Sequence, residues 1–225
     1  MLKKIKLVIP LLLLIVVKAN AENKMHLGFS VGLAIPNEKV SQFFDDTKQR
    51  IQQNDTENWG KFLLETGTSI GYNIKIQGRI ALSDNFLFVP AIGLSRFNEG
   101  VYDLVPLGID TIIGKTQSTA NVVPISVGIN GYLFKKFISP YLNADLCYNY
   151  IAYSYDIVWT DNLLLPITTS AAQHRLGYSL GAGIDIDFSL LSLNIEAKFN
   201  MINIIKYDSQ EPTKQYFTFL LGVVF

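Results

Sequence analysis

Six charged side chains in this sequence occupy the same kind of position, on the small-or-polar face of a segment in which apolar and polar residues alternate. They are Lys75, Arg79, Asp145, Asp185, Glu196 and Lys198. Alternate residues of a strand point to the same face. Where such a face is closed off from water, a charge without a partner is very costly. We therefore expect these acids and bases to pair with each other.

Distance from the tight turns predicts two levels of pairing. The level further from the turns contains Lys75, Asp145 and Lys198, and the nearer one contains Arg79, Asp185 and Glu196. Paired in this way, the charges would plug an enclosed interior. A gated, narrow ion path through the same side chains is the competing interpretation.

The two histidines are the candidate catalytic bases. A hydrolase or acyltransferase that uses a histidine base needs a nucleophile and an orienting acid within hydrogen-bond reach of that histidine. His174 has Ser170 nearby but no acid at an indicative spacing, and His26 begins the first predicted strand, at the end of the barrel opposite to His174. We expect no catalytic site.

Metal and disulfide chemistry have equally weak candidates. Asp185 and Asp187 share a strand face and Asp45 adjoins Asp46, but neither pair matches a calcium-loop pattern. Cys147 is the only cysteine, which excludes an internal disulfide and favours a small buried side chain. No metal or cofactor is expected.

Eight segments with period-two alternation must position these residues. They span about 25–35, 66–81, 86–95, 121–134, 137–151, 174–188, 191–204 and 215–225. Long connections are predicted at 36–65, 96–120, 152–173 and 205–214, the first with a short helix at 38–51. Tight turns are predicted at 83–85, 135–136 and 189–190. Strict alternation of long and short connections indicates an up-and-down antiparallel arrangement.

The first 21 residues have the pattern of a cleaved signal peptide. Lys3, Lys4 and Lys6 precede an apolar run at 7–17, and Ala19-Asn20-Ala21 supplies the cleavage pattern. The remaining domain, 22–225, has 15 basic and 19 acidic residues. That mild acidity argues against nucleic acid as a partner.

The bulky face of the strands indicates that they lie in a membrane. The chain is 49% hydrophobic and 17% charged, yet no apolar run after residue 21 is long enough for a spanning helix. The polar faces are dominated by Gly, Ser and Asn, which fit the narrow interior of an eight-stranded barrel. A soluble barrel would instead place Lys, Glu and Asp there. We predict an all-β, eight-stranded antiparallel transmembrane β-barrel with both termini on the periplasmic side.

The final strand carries a specific resemblance. Its alternating row is Phe217, Phe219, Leu221, Val223 and Phe225. This row resembles the C-terminal signal that the barrel-assembly machinery recognises in outer-membrane proteins. The stretches 88–90, 121–125 and 138–142 resemble small outer-membrane barrels common in Bacteroidota, the PorT-like group, which are of the OmpA/OmpX type. The resemblance implies a location in the bacterial outer membrane and carries no catalytic residues across.

The expected function is a non-enzymatic outer-membrane protein that supports the envelope or displays loops to partners. Its expected surroundings are outer-membrane lipid and lipopolysaccharide, with an extracellular or secretion-system protein as the candidate partner. Recognition aromatics in the long connections would be Trp59, Tyr102, Tyr153, Tyr155 and Trp159, beside the apolar stretch 163–167. These rings would otherwise pack on the rim or extend the strands. An accessory component of a secretion or assembly system, a lipid-A-modifying enzyme and a narrow channel are the competing functions.

Overall fold

A computed structural model describes residues 25–37, 40, 68–104, 112–160, 167–188, 190–206 and 211–225. The predicted signal peptide, nearly all of the helix expected at 38–51, and Trp59 lie outside the described residues. Within the described ranges, no helix has the length and apolar character needed to cross a membrane.

Eight strands account for most of the described chain. They are β1 Met25–Pro36, β2 Ser69–Ala81, β3 Phe86–Leu104, β4 Gly114–Tyr132, β5 Ile138–Trp159, β6 Ile167–Asp187, β7 Ser192–Met201 and β8 Gln215–Val224. Each strand pairs antiparallel with its neighbours in sequence, and β1 pairs with β8 to close the ring. Leu27 and Phe225 exchange backbone hydrogen bonds of 2.8 and 2.9 Å at this closure. The predicted eight-stranded up-and-down barrel is confirmed.

Side-chain alternation places the bulky residues outside and the small or polar ones inside. On β5, Leu142 and Leu146 are 59% and 58% exposed, whereas Asn143 and Asp145 between them are buried. The other strands follow the same period-two rule, because successive side chains of a strand point to opposite sheet faces. An outer surface this apolar is suited to lipid, and the closed ring leaves no strand edge unpaired within it.

Four strands are longer than predicted, which corrects two of the long connections. The ranges 96–120 and 152–173 were expected to be loops, but they continue β3 to β6 up to the pairs Leu104↔Gly114 and Ile157↔Ile167. The reason is that the outward residues there become small and polar, so the contrast between the two faces disappears while the backbone pairing continues. We call these extensions, residues 98–104, 114–120, 153–159 and 167–172, the projecting sheet.

The projecting sheet stands on one side of the barrel only. Pairing of β2 with β3 begins at Ser69↔Asn98, and pairing of β6 with β7 ends at Tyr178↔Met201. Strands β1, β2, β7 and β8 therefore end lower than the other four. The three tight turns occur where they were predicted, between β2 and β3, β4 and β5, and β6 and β7.

The lumen is layered, and its apolar layers were not predicted. One apolar cluster near the tight turns contains Leu87, Val89, Tyr132 and Tyr141. A larger one near the long connections includes Phe97, Val122, Ile151, Tyr153 and Tyr216. Polar and charged side chains fill the space between them.

Candidate functional site

The middle of the lumen holds a compact charge cluster from β2, β5 and β7. The Lys75 ammonium lies 2.5 Å from Glu196 Oε1, and the Lys198 ammonium lies 2.6 Å from Asp145 Oδ2. Lys198 is also 3.5 Å from Glu196 Oε1, which links the two pairs. All four residues are at most 7% exposed. Each buried charge thus has an opposite charge beside it, the condition under which burial of ions is tolerated.

A second ion pair lies nearer the tight turns. Arg79 Nη1 donates to Asp185 Oδ2 at 2.6 Å, and the Tyr132 hydroxyl donates to the same oxygen. Asn194 Nδ2 donates to the other carboxylate oxygen at 2.7 Å. The Arg79 guanidinium also lies over the Tyr141 ring, 5.7 Å from its centroid. The Asp185 carboxylate therefore accepts hydrogen bonds from three different side chains.

Tyr141 connects the two groups of charges. Its hydroxyl donates to Glu196 Oε2 at 2.9 Å and accepts a hydrogen bond from Asn194 Nδ2 at 2.9 Å. Since Asn194 also binds Asp185, the chain of contacts runs from Arg79 to Lys198 without a break. We call the six charged residues together with Tyr132, Tyr141 and Asn194 the lumenal network.

The pairing in the lumenal network differs from the predicted levels. Lys75 was placed with Asp145, but its partner is Glu196, which was placed one level nearer the turns. Arg79 and Asp185 do pair with each other, and so do Lys198 and Asp145. Strand stagger is the physical reason, because a barrel with shear offsets residues that are equally far from their turns.

The network joins opposite walls of the barrel. Among the described residues of β1 to β4, the two cations that face the lumen are Lys75 and Arg79, and both come from β2. Their carboxylate partners come from β6 and β7, and the remaining carboxylate of the network comes from β5. Each ion pair of β2 therefore spans the lumen.

Glycine residues make room for the network side chains. A Cβ at Gly128 would collide with the Asp145 carboxylate, which lies directly across from it on β5. A Cβ at Gly183 would collide with the Tyr141 ring. The large polar side chains can therefore fold down over the neighbouring strand.

Tyr132, Tyr141 and Asn194 are network members that sequence reasoning missed. The alternation along their strands already places these three side chains on the inward face. An uncharged aromatic or amide side chain at an inward position, however, does not require an oppositely charged partner. To find them, the inward or outward direction of each residue would have had to be combined with the pairing register of the strands.

A further polar contact occupies the mouth near the long connections. Arg175 Nε lies 3.4 Å from Glu211 Oε1, and the Lys214 ammonium lies 5.6 Å from the Tyr153 ring centroid. Asn37 Nδ2 and Asn203 Nδ2 donate to the carbonyls of Thr213 and Pro212 at 3.0 Å each. The segment 211–214, predicted as an exposed connection, is thus held between the ends of β1 and β7. Its sequence has no periodicity that could have indicated this position.

The histidines lie outside the network. His174 is exposed on the outer surface, where its Nδ1 is 2.7 Å from the Tyr148 hydroxyl and its ring packs beside Tyr148 and Tyr150. Ser170 is exposed on the same side of β6, and His26 is exposed at the start of β1. The structure brings neither histidine together with both a serine and an acid in the described part of the chain.

The remaining candidate residues are distributed over the barrel. No group of three metal-ligating side chains occurs among the described residues. Cys147 is buried, with its sulfur 3.3 Å from Ser179 Oγ. Asp185 belongs to the network, whereas Asp187 is exposed at the end of β6.

The aromatic residues expected in loops lie largely in strands. Tyr153 is buried and Trp159 packs against the apolar cluster at the mouth, so these two rings lie on strand β5 and not in a loop. Tyr102 and Tyr155 belong to β3 and β5. Residues 163–166 of the apolar stretch lie outside the described residues.

The C-terminal row faces outward. Phe217, Phe219, Leu221 and Phe225 are 48–61% exposed, and Val223 in the same row is half-buried. The row is therefore a continuous apolar ridge on the outside of β8.

Comparison with known proteins yields similarity of structure without similarity of sequence. No family model matches the chain, and no curated protein matches it. Neisserial surface protein A (NspA) has 11% sequence identity and a TM-score of 0.51, with 89% of this chain and 96% of NspA covered. The outer membrane protease OmpT from Escherichia coli has 8% identity and a TM-score of 0.51, with 89% of this chain and 96% of OmpT covered. The chain thus has the fold of bacterial outer-membrane β-barrels, a fold that a surface protein and a protease both use.

Proposed function

We propose that this chain is a non-enzymatic, non-conducting outer-membrane protein that supports the envelope and presents its projecting sheet outside the cell. The observation that carries the proposal is the lumenal network, in which six charges pair inside a lumen that also holds apolar side chains on both sides of them. An ion crossing this lumen would have to separate buried ion pairs, which is costly. The plug is therefore preferred to the gated ion path.

Conductance in planar lipid bilayers tests the plug. We expect no stable single-channel steps from the full chain in about 1 M salt, where screening is short-ranged. A variant with Glu196→Ala and Asp185→Ala should show steps or increased leak, because it leaves cations unpaired in a widened lumen. Stable, substantial steps from the unaltered chain would contradict the proposal.

Outer-membrane location is supported by the apolar outer surface and by the shared fold. The predicted signal peptide would export the chain, and the row ending at Phe225 would present it to the barrel-assembly machinery. Outer-membrane barrels have short periplasmic turns and longer connections outside. With the tight turns in the periplasm, the termini lie there too and the projecting sheet lies outside the cell.

Thiol labelling of intact cells tests this orientation. The native Cys147 is buried in the lumen, so introduced cysteines can be followed separately. Thr168→Cys places a thiol on an exposed position of the projecting sheet, and Asp84→Cys places one on an exposed tight turn. A membrane-impermeant maleimide should label the first variant only. Labelling of the second alone would show the opposite orientation.

A second candidate function is an accessory component of a secretion or assembly system, and it rests on the sequence resemblance to the PorT-like group. Native purification distinguishes the two roles. A secretion protein recovered at a fixed stoichiometry would favour the accessory role. Lipid-A modification, the enzymatic candidate, predicts a changed lipid A mass profile when His174→Ala is introduced, and we expect none.

A further inference from the structure

The outer surface of β3 to β6 becomes more polar beyond one cross-strand row, whereas β2 keeps the exposed apolar Ile70 at its end. The last row rich in apolar residues contains Ile74, Leu94, Val123 and Tyr150, with His174 paired beside Tyr150. The next row contains Tyr72, Arg96, Asn121, Ala152 and Ala172, and beyond it lie Thr119, Ser154 and Ser170. Aromatic rings mark the edge of the hydrocarbon layer in outer-membrane barrels. In the location and orientation proposed above, lipid headgroups would lie level with the second of these rows.

A hollow of about 400 Å³ lies on β4, β5 and β6 at this level. Its outer-face lining supplies hydroxyl and amide groups from Thr119, Asn121, Ser154 and Ser170, and Tyr150 borders it on the apolar side. Volumes of this size accommodate small-molecule groups. Hydroxyls, an amide and an aromatic ring together match the alternating polar and apolar faces of a sugar.

Arg96 lies beside this hollow. It is exposed, points outward from β3 and is paired in register with Asn121, which lines the hollow. Within the described part of the chain it forms no ion pair. No carboxylate lines the hollow, and the outward Asp156 lies one row beyond Ser154. A planar guanidinium in such a position is suited to bind a phosphate through two hydrogen bonds.

We propose that the hollow and Arg96 bind the headgroup of a phosphorylated glycolipid in the outer leaflet. Arg96 binds the phosphate, and the hydroxyl and amide groups of the hollow bind an adjoining sugar. The ligand is a lipid rather than a free saccharide, because the apolar rows of the outer surface lie directly below the hollow. The acyl chains of a lipid whose headgroup occupies the hollow would contact these rows. The proposal rests on the outer-membrane location and orientation proposed above.

Lipid retention in nanodiscs tests the site. The full chain is placed in phosphatidylcholine nanodiscs that contain lipid A or its dephosphorylated form, and the lipids that stay bound are quantified by native mass spectrometry. We expect the unaltered chain to retain the phosphorylated lipid preferentially. Arg96→Gln should lower that preference about three- to fivefold, the range for one partly exposed charge contact. Lys115→Gln, an exposed cation further out on β4, is the matched control and should keep the preference.

A second pair of variants tests the hollow itself. Ala152→Leu fills the row beside Asn121 and should reduce retention of both lipid forms, whereas Ala144→Leu on the apolar part of the same strand should not. Unchanged retention in Arg96→Gln, or an equal loss in Lys115→Gln, would overturn the proposal. Equal binding of the free phosphorylated disaccharide would show that the ligand is not a lipid.

The two proposals fail in distinguishable ways. Thiol labelling and conductance are measured on the same variants, and neither should change in Arg96→Gln. Normal labelling without lipid preference would refute the lipid site alone. Inverted labelling would refute the orientation and the lipid site together.

Discussion

Glu196 is the residue on which the lumenal network most depends. One of its carboxylate oxygens lies near both lysines of the central cluster, and the other accepts from Tyr141. It is 2% exposed, so bulk water does not reach it to replace a lost partner. Removing its charge would leave a buried lysine without compensation, a far larger effect than losing one surface pair.

Glu196→Gln is expected to lower the free energy of unfolding by about 3 kcal/mol, in the range for a broken buried ion pair. Urea unfolding in lipid vesicles, followed by tryptophan fluorescence, measures the loss. Glu99→Gln, at an exposed position of β3, should change stability by less than about 0.5 kcal/mol and serves as the control.

The double variant Glu196→Gln with Lys75→Met separates charge from shape. It removes the stranded ammonium together with the carboxylate, so it should recover at least half of the lost stability. A double variant as unstable as the single one would mean that packing around Glu196, and not its charge, is what matters.

At the scale of strands, sequence reasoning succeeded where the two faces differ in size and polarity. The alternation of Leu142, Asn143 and Asp145 predicts which face of β5 is inward, and the structure agrees. It failed in the projecting sheet, where Ser154 and Ser170 face outward and make the outer face as polar as a loop. Backbone pairing, which is independent of side chains, continues there.

The register was the second limit of sequence reasoning. Parity places Lys75 and Glu196 in the lumen, but only the stagger between strands decides that they meet. Phe97 and Ile151 are apolar but also face inward, where they interrupt the polar face. Nothing in the local sequence pattern shows whether such residues line the lumen or belong to a loop that packs on the rim.

Hydrogen exchange tests whether the projecting sheet is ordered as strands. Residues 115–119 of β4 and 153–157 of β5 have a paired strand on both sides. Their amides should exchange as slowly as those of the barrel residues 142–146. Exchange at the rate of an unstructured loop would contradict the extended strands.

At the scale of the whole molecule, closure of the ring depends on the last strand. β8 pairs with both β7 and β1, and its outward row is apolar up to Phe225. The backbone of Phe225 is bonded to Leu27, while its ring is 61% exposed. The ring is therefore free for recognition, whereas the backbone serves stability.

Phe225→Ala is expected to reduce the amount of folded protein in the outer membrane of cells several-fold, yet to leave folding of the purified chain into vesicles nearly unchanged. Heat-modifiable mobility on gels measures the folded fraction in both settings. Phe188→Ala, an exposed ring just after β6, is the matched control and should accumulate normally. Equal losses for both variants would argue against an assembly signal at Phe225.

The division of the ion pairs between the two halves of the chain affects how the barrel is completed. In the described strands β1 to β4, no carboxylate faces the lumen, although Lys75 and Arg79 do. A ring formed from these four strands alone would enclose two cations with no anion to neutralise them. Only the full set of strands delivers Asp145, Asp185 and Glu196 to that space. The electrical balance of the interior thus favours the finished barrel over a ring closed from its first four strands, and Lys75 finds its partner Glu196 only when β7 is in place.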